Sequence, residues 1–251
     1  MIRRVHVQRF GPPVLGVALF CLAWEGIGIY RLAGLTWPPL TAVLAYLADP
    51  GHHRLLGRAA STTFAAVGLG YGLGLALGLG LALLVRLIRP AREGIDRFVA
   101  LVHATPAIAL APVFMIAMSR EAIPSALAAL AVTYLVYVAA TSGLEAVRAQ
   151  HHDLFRTLGA KPLGTFWRLE LPSALPALAS GLKLAIPVAF MGAIVGEWFG
   201  ASRGLGLLMI SAMQNFQIPL LWAAVLLTTL TSLLLYGAMT LVETAVHRRF
   251  R

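Results

Sequence analysis

The chain has 251 residues, 59% of them hydrophobic and 12% charged, with a formal net charge of +10. Soluble domains average roughly half apolar and about a quarter charged residues, so this balance excludes an ordinary soluble protein and points to a membrane chain. The basic excess would suggest nucleic acid in a soluble protein, but basic residues set between apolar runs mark cytoplasmic loops instead. The single cysteine, Cys21, lies in an apolar run and has no partner for an intrachain disulfide or a thiolate metal site.

Six apolar runs, centred near residues 22, 75, 108, 132, 186 and 230, are each long enough to cross a bilayer. They predict an all-α polytopic bundle forming one domain over residues 1–251. The first run follows MIRRVHVQRF, and no clear small-x-small cleavage site precedes Trp24 and Glu25, so it reads as a retained span instead of a signal peptide. The second, FAAVGLGYGLGLALGLGLALLV, carries one small-residue series at Gly70, Gly74 and Gly78 and another at Gly68, Gly72, Ala76 and Gly80. The two series point in nearly opposite directions on a helix, so this span is expected to be a central helix gripped on two sides. Gly72-x-Gly74 is no dinucleotide fingerprint, because no strand precedes it.

The third run holds Pro106 and Pro112, and the fifth holds Pro176 and Pro187. Proline frees backbone groups that lipid cannot satisfy, so both spans are expected to be broken beside a translocation path. Thr105, His103, Thr133, Tyr134 and Tyr137 then offer polar lining, with a packing role and a local hydrogen bond as the alternative for each. The expected path or gate set is Thr105, Pro106, Tyr137, Lys183, Pro187 and Glu197.

Between the fourth and fifth runs lies HHDLFRTLGAKPLGTFWRLELP, residues 151–172, the core of a hairpin expected at about 146–172. Asp153 is a competent N-cap for a short helix bearing Leu154, Phe155 and Leu158, and Gly159 can end it as the left-handed residue. Pro162 can open a second short helix with Leu163, Phe166, Trp167 and Leu169. Two short amphipathic helices cannot bury themselves, so this hairpin calls for a partner surface, with a loop lying on the membrane as the alternative.

Lys183 lies within the fifth run and Glu197 at its end, while Glu25 lies in the first. Charges inside spans are functional by default. Lys183 is expected to face a subunit interface, an inward-open cavity or an anionic substrate. After Glu197, GASRGLGLLMISAMQNFQIP reads as an external shelf with Met209, Met213 and Phe216 at helical spacing. The sixth run ends at Glu243, His247, Arg248 and Arg249, which reads as a cytoplasmic stop.

With six spans and both ends in the cytoplasm, fourteen arginines and lysines fall inside and five outside, Lys183 being within a span. The inside set comprises Arg3, Arg4 and Arg9; Arg86, Arg89, Arg92 and Arg97; Arg148, Arg156, Lys161 and Arg168; and Arg248, Arg249 and Arg251. That bias supports the orientation and places residues 151–172 in the cytoplasm.

The hairpin resembles the cytoplasmic EAA loop of binding-protein-dependent ABC importer permeases, whose pattern is EAA, three residues, Gly, nine residues, Ile-x-Leu-Pro. Asp153 stands at the acidic position, Gly159 at the glycine, Leu169 at the isoleucine, and Leu171 and Pro172 match outright; Leu154 and Phe155 replace the two alanines. The resemblance extends over most of the chain, nearest to the branch of nitrate, sulfonate, taurine and thiamine-precursor importers. It implies a type I importer permease fold in the bacterial inner membrane, two permease copies, two ATPase subunits and an extracytoplasmic solute-binding protein. It also implies that Asp153, Leu154, Phe155, Leu158, Gly159, Ala160, Trp167, Leu169, Leu171 and Pro172 form the coupling surface for the ATPase. Glu197 matches the family's acid at the outer end of its helix, with a gate or interface role. ATP and Mg would sit on the partner subunit, with no cofactor, metal or nucleic acid bound by this chain.

Catalytic signatures point the same way. Gly159 to Thr165 has the spacing of a phosphate loop but lacks the lysine between the second glycine and the threonine. No zinc-protease helix, serine elbow or paired catalytic carboxylates appear. An intramembrane enzyme and an ATP-independent channel are the alternatives, each with its own signature: activity or ion flux without any ATPase.

Overall fold

The computed structural model describes the backbone of residues 2–250 and the side chains of residues 14–250. Arg3, Arg4, Arg9 and Arg251 of the charge count therefore lie outside the described side chains. Eleven α-helices and no strand are present among the described residues. They are α1 (Ile2–Ile29), α2 (Leu40–Ala48), α3 (Pro50–Leu87), α4 (Arg92–Ala104), α5 (Ala107–Ala117), α6 (Ile123–Glu145), α7 (Ala149–Thr157), α8 (Pro162–Thr165), α9 (Leu171–Phe199), α10 (Leu205–Gln214) and α11 (Ile218–Arg249). Four uninterrupted helical segments are long and apolar enough to span a membrane: Pro50–Leu87, Arg120–Glu145, Pro162–Phe199 and Ile218–Arg249. Val14–Ile29 is a shorter apolar helix among the described residues.

The third expected span is two helices instead of one. Arg89–Ala104 and Ala107–Ala117 are bent by 97° at Thr105–Pro106. Thr105 is extended, with φ −75° and ψ 122°, as a residue before proline tends to be. At 1.5 Å per residue α5 is only about 16 Å long, too short to cross the hydrocarbon alone. The third span is thus broken at Pro106 as expected, whereas the fifth departs from expectation. Its helix runs unbroken through Pro176 and Pro187.

The chain forms two compact units, Met1–Arg58 with Leu208–Leu227, and Ala59–Leu207 with Thr228–Arg251. The first is organised by tryptophan. Trp24, Trp37 and Trp222 lie with ring centroids 4.8–5.4 Å apart. Trp24 Nε1 donates to the Pro38 carbonyl at 3.1 Å and Trp222 Nε1 to the Thr36 carbonyl at 2.9 Å. Glu25 accepts from the Thr41 backbone N–H at 3.0 Å and hydroxyl at 2.6 Å, so it satisfies the start of α2 from another helix. Phe216 lies beyond the end of α10, with φ 54° and its ring exposed, so it does not share a helical stripe with Met209 and Met213.

The second unit is built around α6, not α3. Gly70, Gly74 and Gly78 bring α3 against Ala128, Val132 and Val136 of α6, running in the same direction. Gly181, Gly192 and Gly196 bring α9 antiparallel against Ala139, Ala128 and Pro124 on another side. A Cβ at Gly74 would stand 2.6 Å from that of Val132 and 2.7 Å from the Ala129 carbonyl oxygen, so close backbone approach replaces the hydrophobic drive that lipid does not supply. The second small series of α3 is different: Gly68, Gly72 and Gly80 have nothing within 4 Å. The expected two-sided grip on α3 is thus one-sided within this chain. The helix gripped on both sides is α6, with Leu127, Ala128, Val132 and Val136 fully buried.

Candidate functional site

The hairpin opens with α7, which begins after Arg148, extended at φ −64° and ψ 141°. Asp153 is therefore inside the helix and not its N-cap. The helix starts earlier because the His151 N–H already bonds the Arg148 carbonyl at 3.0 Å, leaving Asp153 paired only with Arg156 at 3.8 Å on the exposed face. Gly159 ends the helix in the left-handed region, φ 73°, and the Ala160 N–H returns to the Phe155 carbonyl at 2.9 Å. Such a reversal satisfies carbonyls of the last turn and strongly favours a residue without Cβ.

Lys161 is extended and Pro162 takes the first position of α8, where its missing donor costs nothing. Residues 166–170 then form a π-helical turn that runs into α9. Pro172 explains the turn's place: it has no N–H for the Arg168 carbonyl, and its ring would strike that carbonyl in a regular α-helix. The wider turn absorbs the conflict without breaking the rod. The second arm of the hairpin is consequently one continuous helix with the span Pro162–Phe199.

Two contacts fasten this arm to α3. Arg86 pairs with the buried carboxylate of Glu170, and its guanidinium lies 5.0 Å from the centre of the Phe166 ring. Leu154, Leu158, Leu163 and Trp167 remain 53–74% exposed. Phe155, Leu169, Leu171 and Pro172 are half-buried, as is Ala160. The hairpin thus offers an apolar face that nothing in the chain covers among the described residues.

Each non-proline member of the expected path set has a partner within the chain. Thr105 Oγ1 donates to the Leu101 carbonyl at 3.1 Å, and Thr133 Oγ1 to that of Ala129 at 2.7 Å. His103 stacks face to face on Tyr134, with centroids 3.6 Å apart. The buried Tyr137 hydroxyl donates to Asp96 of α4. Pro106 precedes the first residue of α5, and Pro187 is inside α9.

Lys183 is paired within the chain. Its Nζ lies 2.5 Å from Glu243 Oε2 of α11, and the other carboxylate oxygen accepts from Ser180 at 2.7 Å. Glu243, expected as part of a cytoplasmic stop, is the counter-ion of Lys183. Glu197 is buried and joins three segments: Oε1 accepts from Thr63 of α3 at 2.7 Å and Oε2 from the Gly206 N–H at 2.6 Å, while Thr63 Oγ1 accepts from the Leu205 N–H at 2.8 Å. Gly204, at φ 144°, carries the chain directly over this carboxylate, where any Cβ would collide with it. Sequence reasoning missed Thr63, Asp96, Glu170 and the pairing role of Glu243. For Glu243 a signal existed, since a lysine and a glutamate in two apolar spans are each other's cheapest partner.

Comparison with known proteins places these close-packed spans in a family. Residues 72–251 match the family described as binding-protein-dependent transport system inner membrane component. The chain belongs to that family. The permease is 33% identical over 241 residues to a probable ABC transporter permease protein of Haemophilus influenzae, covering 94% of this chain and 95% of that protein. It is 36% identical over 143 residues to the formylaminopyrimidine transport permease of Halalkalibacterium halodurans, covering 55% of this chain and 56% of that protein. Its fold is similar to a chain of the MetNI methionine ABC transporter in inward-facing conformations, with TM-score 0.69, 19% identity and coverage of 79% of this chain and 99% of that one. The permease therefore has the all-α architecture of type I ABC importer permeases and is a multi-span inner-membrane transport component.

Proposed function

We propose that the permease is one of two copies in an ATP-driven importer of a small polar or anionic solute, and that residues 146–172 couple ATPase closure to alternating access. One observation carries this reading: the exposed apolar face of Leu154, Leu158, Leu163 and Trp167 belongs to a hairpin whose second arm is continuous with a membrane span. A push on that face is delivered along a rod instead of being lost in a loop. Gly159 holds the angle between the arms, and the Arg86 contacts give the rod a bearing on α3.

In this reading the EAA-like residues dock on an ABC ATPase, ATP and Mg are held by that partner, and the permease has no ATPase site of its own. Both termini and the hairpin are cytoplasmic, and an extracytoplasmic binding protein delivers cargo to the opposite side. The open series Gly68, Gly72 and Gly80 on α3 suits close approach of a second copy. With Lys183 and Glu197 engaged by partners inside the chain, selection among sulfonate, nitrate, taurine or vitamin-precursor cargo is assigned to the binding protein; the formylaminopyrimidine relative favours the last class.

The test is a reconstituted vesicle assay of hydrolysis and uptake on the complex, with subunit co-purification. Gly159→Val is expected to insert normally while weakening ATPase docking or uncoupling hydrolysis from uptake. Wild-type assembly and coupling in that variant would reject the coupling role of the hairpin.

A further inference from the structure

Behind the hairpin lies a cavity of about 380 Å³, lined by Arg86, Arg89, Arg92, Glu145, His152 and Glu170 with a few apolar neighbours. Its charges are unevenly paired. Arg86 pairs with Glu170, and Arg92 pairs with Glu145 and also reaches Asp96 at 3.4 Å. Arg89 has no acidic group within 4 Å among the described residues, so its guanidinium is left without a carboxylate. A concave site with two paired arginines and one unpaired fits a singly charged oxyanion, which a guanidinium binds through paired N–H donors.

The surroundings indicate which oxyanion. Leu87 and Ile88, between Arg86 and Arg89, are 67% and 50% exposed, and Phe98 and Leu101 on the adjoining α4 are also exposed. The basic lining thus lies next to uncovered apolar surface at the end of a membrane span, where a headgroup and its acyl chains need opposite environments a few ångströms apart. A free phosphate would gain nothing from those leucines.

We propose that this cavity binds the phosphate of an anionic phospholipid of the cytoplasmic leaflet, with Arg89 as its principal ligand. The proposal rests on the cytoplasmic orientation argued above. A headgroup held there stands between Glu145 of α6, His152 of α7 and Glu170 of the π-helical turn, so it bears on the joint between hairpin and span. Lipid composition would then set how firmly the hairpin is seated, and with it the rate of coupled uptake.

The experiment uses the assembled transporter with its ATPase. Native mass spectrometry after incubation with equal phosphatidylglycerol and phosphatidylcholine should show preferential retention of phosphatidylglycerol. Arg89→Gln should reduce that preference by roughly fivefold, the factor that one arginine adds at an anionic surface, and Arg89→Lys, which keeps the charge but loses the paired donors, should fall between Arg89→Gln and the wild type. In vesicles, coupled uptake by the wild type should rise with phosphatidylglycerol, and uptake by Arg89→Gln should not. Equal retention of both lipids, an unchanged preference in Arg89→Gln, or displacement of the lipid by millimolar inorganic phosphate overturns the site. Loss of ATPase co-purification in lipid-free detergent on Arg89→Gln also overturns it, by assigning the arginine to the protein partner. Each of these results leaves uptake by the wild type in phosphatidylcholine vesicles as a separate reading of permease function. Labelling of His151→Cys, in a Cys21→Ser background, from the side opposite the ATPase would instead reject the orientation.

Discussion

Lys183 and Glu243 show how a single residue's meaning depends on its partner. Alone, a lysine in the fifth span reads as a ligand for anionic cargo; beside Glu243 and Ser180 it is half of a neutral pair joining α9 to α11. Removing one member leaves an unpaired charge inside an apolar span, which is costly. Lys183→Met should therefore lower the yield and thermal midpoint of detergent-purified protein, and adding Glu243→Gln should recover most of the loss. Failure of the second substitution to rescue would show that Lys183 acts outside the pair. Thr63 calls for the same argument without a charge. Thr63→Val keeps the shape but strips the hydroxyl between Glu197 and the Leu205 N–H, so about 1–3 kcal/mol should be lost, read as a lowered midpoint. Asp153→Ala, by contrast, should change stability by no more than about 0.5 kcal/mol, because its only ion pair is long and exposed.

At the scale of elements, the second arm of the hairpin and the span after it form one continuous helix. Gly159 and Pro172 are the two residues whose backbone chemistry shapes the hairpin, the first by turning the chain and the second by forcing the π-helical turn. Both effects act within one or two turns, which is why the reversal at Gly159 and the start at Pro162 were legible from residue types and spacing. The start of α7 was not: Arg148 adopts the N-terminal conformation without any side-chain cap, so no capping residue marks it. The exposed stripe has a direct consequence. A carboxylate introduced by Leu158→Asp or Leu163→Asp would be desolvated in an ATPase groove but solvated in the free permease. Either variant should insert and melt like the wild type while losing ATPase in co-purification; retention of the ATPase would move the docking surface elsewhere.

For the molecule as a whole, the two small-residue series of α3 carry different loads. Gly74 faces Val132 at a distance that leaves no room for a Cβ, whereas Gly72 faces open space. Gly74→Val is expected to abolish folded protein, and Gly72→Val to leave the chain folded while reducing cross-linking between permease copies. Equal tolerance at both positions would contradict the packing of α3 on α6.

Apolar run length, the small-residue series, the left-handed glycine and the spacing of the hairpin are local, and they established a multi-span helical chain with a hairpin turned at Gly159. Only tertiary structure decided that α6 is the helix gripped on both sides, because two glycine faces can be read from α3 but not which of them has a neighbour. It alone placed Glu197 against Thr63, 134 positions earlier, and Lys183 against Glu243, 60 positions later. It also decided which prolines break a span: Pro106 meets an extended Thr105 and the chain turns through 97°, while Pro176 and Pro187 leave α9 intact against the flank of α6. The reason is one of range. Backbone preferences and periodicity act over a few residues, whereas the choice of a counter-ion, and the tolerance of a kink, belong to whichever helices pack around it.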